Sequence, residues 1–189
     1  MKVIEKLRPN TVDWNKRYSN KLNSRIHIVQ NCNYVLEICK QFDIKLISID
    51  GVDIVDGKVT LTLGLVWQIC KIYWEERVGK INDEQLVAWG NSKVPANLAI
   101  KNLKDHNISN CKFLLHIIES VKPNTVDFSK LKEDQSEESQ IANINYTIAS
   151  ARKLGAEVMT LWEHIKESNP RYVGILLAEL QHIEKQGHK

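Results

Sequence analysis

The chain has 189 residues, 43% of them hydrophobic and 26% charged, with a formal net charge of +3. That length and apolar content suit one ordinary domain or two small ones with a real core, which excludes a disordered chain. Charges of both signs nearly cancel and no lysine or arginine run occurs, so nothing marks a nucleic-acid footprint, and the most apolar stretch, Val59 to Cys70, is shorter than the ~18 residues of a membrane span.

In chain order, MKVIEKLRPN mixes apolar and charged residues within one turn and does not read as a signal peptide. Next comes PNTVDW at Pro9 to Trp14, which returns as PNTVDF at Pro123 to Phe128. The match extends outward: KVIEKL lies over HIIESV, and NCNYVLEICKQF at Asn31 to Phe42 over NINYTIASARKL at Asn143 to Leu154. DIVDGKVTLTLGLVW runs parallel to HIKESNPRYVGILLAEL, with Lys58 near Arg171. A repeat of this extent predicts two homologous units. Trp14 and Phe128 share a repeat position and are expected to be aromatic core plugs.

Ile44 to Ile54 alternates too imperfectly for a strand and is expected to be a loop over the core. Asp50, Asp53 and Asp56 recur at every third position, whereas a calcium loop needs ligands at every second one and a distal glutamate, so turn or capping roles are expected. From Lys58 to about Arg77 a helix is expected whose first half is apolar nearly all round, which predicts a buried central helix with Trp67 in the core. Asn82 with Gln85 has the form of a capping box, opening a helix from about Asp83 to Asn91 with Leu86 and Trp89 on its apolar face. Asn110 to Val121 carries apolar residues at helical spacing and ends before Pro123. Ser136 or Ser139 caps the next helix, whose face is Ile141, Ile144, Ile148 and Ala151, and Gly155 stops it. Asn169-Pro170 then opens an apolar helix from Arg171 to about Ile183.

Cys32, Cys39, Cys70 and Cys111 form no CxxC pair and have no histidines at metal spacing. They are expected to be buried free thiols in a reducing compartment. The histidines are scattered, and no nucleophile, acid and base pair, phosphate loop or metal cluster emerges. The expectation is a non-catalytic binding module without a metal or cofactor.

DGKVTLTLGLVWQICKIY at Asp56 to Tyr73, NCNYVLEICK and NDEQLVAWGNS resemble helices of the calponin-homology domains of the fimbrin, or plastin, family. ISNCKFLLHIIESVKPNTVDF and YTIASARKLGA resemble the fourth such domain. The resemblance implies an all-α tandem of calponin-homology domains, each with four main helices and long packed loops. Residues 1–73 would be the C-terminal part of a third-domain-like unit, 74–81 a linker, and 82–189 a complete fourth-domain-like unit. The second unit has a segment, Ile81 to Leu115, with no counterpart ahead of Met1, so the first domain is expected to be incomplete and the chain a piece of a longer protein.

The same resemblance implies an actin-filament-binding module of an actin-bundling protein, cytoplasmic on the actin cytoskeleton, with neither nucleic acid nor membrane as partner. Its candidate contacts are Gln68, Lys71, Ile72, Trp74, Arg77 and Lys80 at the end of the first unit, and Asp83, Glu84 and Val87 at the start of the second. Lys71, Arg77 and Lys80 would steer encounter with acidic actin while Gln68 and Ile72 supply apolar contact. Trp74 would either pack against the neighbouring domain or anchor a partner. The rival reading is a scaffold or oligomerisation piece without filament affinity of its own, associating through the surface of the incomplete first domain. Microtubule binding is a weaker third.

Overall fold

A computed structural model describes residues 1–18, 24–42, 44, 46–80, 82–134 and 136–187. Ile81, an expected start of the second unit, and His188 lie outside the described residues. Among those described there is no strand, in line with the all-α expectation. The chain divides into two compact units, Met1–Arg77 and Val78–Lys189.

In the first unit, α1 (Lys2–Leu7) leads through the PNTVDW loop to α2 (Arg25–Lys40), then α3 (Gly51–Val55) and α4 (Val59–Val78). Its core is small: Ile4, Val12, Leu36, Ile38, Cys39, Ile44 and Leu65 are buried together. The expected loop of Ile44 to Ile54 is not a loop throughout: its last part, from Gly51, lies in α3. Asp50 and Asp53 explain the turn: the Asp50 carboxylate accepts from the Val52 and Asp53 amides, and Asp53 accepts from the Asp50 amide at 3.0 Å. Asp53 also pairs with Lys58 and Asp56 with Arg25, so all three aspartates have capping or ion-pair roles.

In the second unit, α5 (Asp83–Ser92), α6 (Lys112–Val121), α7 (Glu137–Lys153), α8 (Trp162–Lys166) and α9 (Pro170–Gln186) enclose a larger core. Phe113, Leu114, Leu115, Ile117 and Ile118 of α6 are each no more than 1% exposed. The expected caps form here: the Asn82 side chain accepts from the Gln85 amide at 2.9 Å, Ser136 Oγ from the Ser139 amide at 3.2 Å, and Asn169 from the Arg171 amide at 3.2 Å. Gly155 closes α7 at a φ of +101°, a conformation that suits glycine.

Four expectations are corrected. Helix α4 is not a buried central helix: only Leu65 and Trp74 are buried, while Val59, Leu63 and Val66 are exposed. Its first half is apolar nearly all round, but the described core residues of this unit meet one side of it. Trp67 is accordingly half-buried rather than enclosed. Trp14 and Phe128 are not core plugs; each heads a 3-10 turn and is exposed, at 42% and 37%. Cys39 and Cys111 are buried free thiols, whereas Cys32 and Cys70 are only half-buried.

Candidate functional site

The repeated hexapeptide is a loop clamp, and most of its hydrogen bonds recur in both copies. Glu5, on α1, accepts from the Asn10 and Val12 amides, both at 2.8 Å. Glu119, on α6, accepts from Asn124 at 2.7 Å, Thr125 at 3.1 Å and Val126 at 2.8 Å. The loop turns through Asn10 and Asn124, at φ of +65° and +64°, a region asparagine tolerates better than most side chains. The Asp13 amide donates to the Tyr34 hydroxyl at 2.8 Å, and the Asp127 amide to Tyr146 at 2.7 Å. Asn31 and Asn143 each grip one backbone residue further on, Tyr18 and Lys132, through both ends of the side-chain amide.

These bonds to the ionised form set the acidity of the two glutamates. The Val12 amide, then that of Asn10, holds the Glu5 carboxyl below its ordinary range. The Val126 amide does most for Glu119, again downward. The duplication therefore preserves a folding device, which positions the helices that follow each loop.

The candidate residues on α4 divide by face. At 100° per residue, Leu65, Ile69 and Ile72 share the side turned to the core. Ile72 is half-buried and lines a small apolar space with Ile4, Cys39 and Phe42. It therefore faces inward, contrary to the expectation of a surface contact. Gln68 is half-buried at the edge of a groove of about 180 Å³ formed with Leu46, Ile49 and Leu61. Lys71 is exposed and lies 3.6 Å from Glu75 one turn on. Trp74 is 1% exposed, and its buried indole N–H has no hydrogen-bond partner among the described residues. An enclosed ring cannot serve as a surface anchor. Residues 74–78, expected to begin a linker, continue α4, with Arg77 half-buried in its last turn.

In the second unit, Lys80 is exposed. Asp83 and Glu84 are exposed in the first turn of α5, where acidic side chains meet the positive end of the helix dipole. Val87 is half-buried, packed on the unit's core. Together these three border a groove of about 590 Å³ whose other rim carries Lys101 and Lys104. Asn91 shapes this groove: its side-chain amide exchanges two hydrogen bonds, both 2.9 Å, with the backbone of Ile100. That brace was not anticipated, because a lone asparagine near a helix end carries no sequence signal for a partner nine residues away.

The three aspartates once open to a calcium reading are consumed in caps and ion pairs, as described above. Among the described residues no group of three or more histidine, cysteine, aspartate or glutamate side chains is placed to hold a metal. No described helix is long and apolar enough to cross a membrane.

Comparison with known proteins places this geometry. The family model for the calponin homology (CH) domain matches residues 1–74 and again 80–186. Fimbrin of Schizosaccharomyces pombe is 35% identical over 196 residues, covering 94% of this chain and 32% of its own length. Plastin-3 of Danio rerio is 33% identical, covering 94% of this chain and 31% of its own. The crystal structure of the actin-crosslinking core of S. pombe fimbrin superposes with a TM-score of 0.80 at 33% identity, over 95% of this chain and 40% of that one. This chain thus spans about a third of the length of the curated relatives it matches. With two matched segments that coincide with the two copies of the repeat, the chain belongs to the calponin homology domain family, as a tandem related to fimbrin and plastin.

Proposed function

We propose that this chain is an actin-filament-binding module of a fimbrin-like or plastin-like actin-bundling protein, non-catalytic and resident on the actin cytoskeleton of the cytoplasm. The observation that carries the reading is the extent of the likeness: both repeats, 95% of the chain, align with the actin-crosslinking core of a fimbrin. Crosslinking requires two filament contacts, so this tandem supplies one of them and the remainder of a longer protein the other.

The residues proposed to meet the filament are those the folded units leave at the surface. On the first unit these are Lys71 and the edge offered by Gln68, with Arg77 in the last turn of α4. On the second they are Lys80, Asp83, Glu84 and the exposed part of Val87. Trp74 is left out because it is buried, and Ile72 because its half-buried side chain packs on the core of the first unit. The basic members steer encounter with an acidic filament, and their effect falls as salt screens them.

Co-sedimentation with actin filaments tests the proposal. The chain pellets with filaments in a saturable way, and the double variant Lys71→Glu, Arg77→Glu pellets less at low salt, with a smaller difference at high salt. A chain shown by circular dichroism to be folded, yet absent from the pellet at every filament concentration, refutes the reading.

A further inference from the structure

The two copies of the repeat share a frame but differ in what they place beside the clamp loop. Tyr34 and Tyr146 take the same loop amide, which sets the register of α2 against α7. Buried pairs agree with it: Leu36 with Ile148, and Cys39 with Ala151. In that register Glu37, Ile38 and Gln41 of the first copy stand where the second has Ala149, Ser150 and Lys153. Two large side chains are replaced by small ones, a carboxylate is absent and an ammonium is added. In the second unit a groove of about 450 Å³ opens there, between α7 and the PNTVDF loop. Tyr146, Ala149, Ser150 and Lys153, at i, i+3, i+4 and i+7, form its helical wall.

The lining is rich in donors. Thr125 and Ser150 are 8% and 4% exposed, yet their hydroxyls have no hydrogen-bond partner among the described residues. The first copy differs here too, because the Thr11 hydroxyl donates to the Arg8 carbonyl at 2.8 Å. Buried hydroxyls left unmet by protein mark a place where a ligand oxygen is held. Two cations flank them, unequally. Lys130 lies 4.0 Å from Asp127, whose carboxylate also accepts from the Ser129 amide at 3.1 Å and hydroxyl at 2.6 Å. Asp127 is the only acid among the described lining residues, and Lys130 offsets it. Lys153 is exposed and stands in no ion pair among the described residues, so it gives the groove its positive charge.

We propose that this groove binds a phosphate monoester carried on a small organic body, with the phosphate held by Lys153 and the Thr125 and Ser150 hydroxyls and the body lying against Tyr146 and Ala149. A groove of this size suits such a ligand. A carboxylate has too few oxygens and too little charge for this set of donors. A phosphate monoester brings a charge of about −1.5 to −2 at neutral pH and enough acceptor oxygens to meet both hydroxyls and the ammonium. None of these residues is among the proposed filament contacts, so the site stands or falls independently of actin binding.

The test titrates phenyl phosphate into the whole chain and follows amide NMR shifts. Saturable shifts are expected at Thr125, Ala149 and Ser150. Ala149→Glu and Lys153→Gln each install the first copy's residue at an exposed position, so these variants keep their fold, checked by thermal melting. Each weakens binding about fivefold or more. Benzoate, the carboxylate counterpart, binds about tenfold more weakly than phenyl phosphate. Vesicles containing phosphatidic acid present the same monoester on a lipid. Vesicle binding that is lost with Lys153→Gln supports the site with a lipid as its source, and binding of phenyl phosphate alone supports it with a soluble source. Absence of saturable shifts, shifts confined to residues outside the groove, or affinity indifferent to both variants overturns the proposal. So does benzoate that binds as tightly as phenyl phosphate.

Discussion

Glu119 shows how much one side chain does in this fold. Its carboxylate closes three amides of the PNTVDF loop. Replacing it by alanine strands those donors, and a loss of about 1–3 kcal/mol is expected in denaturant titration. The pH dependence follows from the direction of the shifts. Glu5 and Glu119 have native acidities held below their unfolded range, and Asp134 is held down to about 2, by the Ser136 hydroxyl first and then by Ser139. A depressed carboxyl contributes stability above its unfolded pKa of about 4, which is lost as pH falls through the native value. Stability should therefore be flat near neutrality and decline below about pH 4, with a shallower acid slope in Glu119→Gln. Equilibrium denaturation over a pH series reads both; an unchanged slope in the variant would remove Glu119 from the account.

At the scale of elements, glycines separate helices that are pressed from helices that are free. A Cβ on Gly51, at the start of α3, would lie 2.6 Å from the Val29 carbonyl oxygen and 2.5 Å from Asn33, while one on Gly64 in α4 would meet nothing within 4 Å. Gly51→Ala should destabilise by about 1–3 kcal/mol, because backbone cannot yield as a side chain tip can. Gly64→Ala should stabilise by about 0.5–1 kcal/mol through helix propensity alone. Opposite signs in thermal melts would confirm that α4 stands clear of neighbours on that side; destabilisation by both would contradict it. The faces of α4 also explain why the candidate contacts sort as they do: residues three and four apart share a side, so Lys71 can face water while Ile72 faces the core.

At the scale of the whole molecule, the two units differ in how much apolar surface they enclose. The second has six of the ten α6 residues buried and α9 buried from Val173 to Leu180, whereas in the first only Leu65 and Trp74 of the twenty α4 residues are buried. Resistance to opening follows buried apolar contact. Amide hydrogen exchange is expected to be slower in α6 and α9 than in α2 and α4, and Phe113→Ala, at a cost of about 3–5 kcal/mol, is expected to erase the protection of α6 and α9. Equal protection across the two units would show that the size of each core does not govern local stability here.

Much of this protein was legible in its letters. The two copies of PNTVD with their upstream glutamates, the caps at Asn82, Ser136 and Asn169, and the stop at Gly155 are local chemistry, set within a few residues of backbone, and each forms as the spacing predicts. The family resemblance rested on the same local patterns and holds across both copies. What the letters could not decide is which apolar residues find a partner. A helix whose first half is apolar nearly all round looks buried in sequence, yet burial is a property of what packs against it, and the described core residues of the first unit meet α4 on one side. The same reason turned Trp14 and Phe128 outward, enclosed Trp74, and pointed Ile72 into the core: hydrophobicity is carried by a residue, but its satisfaction depends on neighbours that only the folded chain brings together.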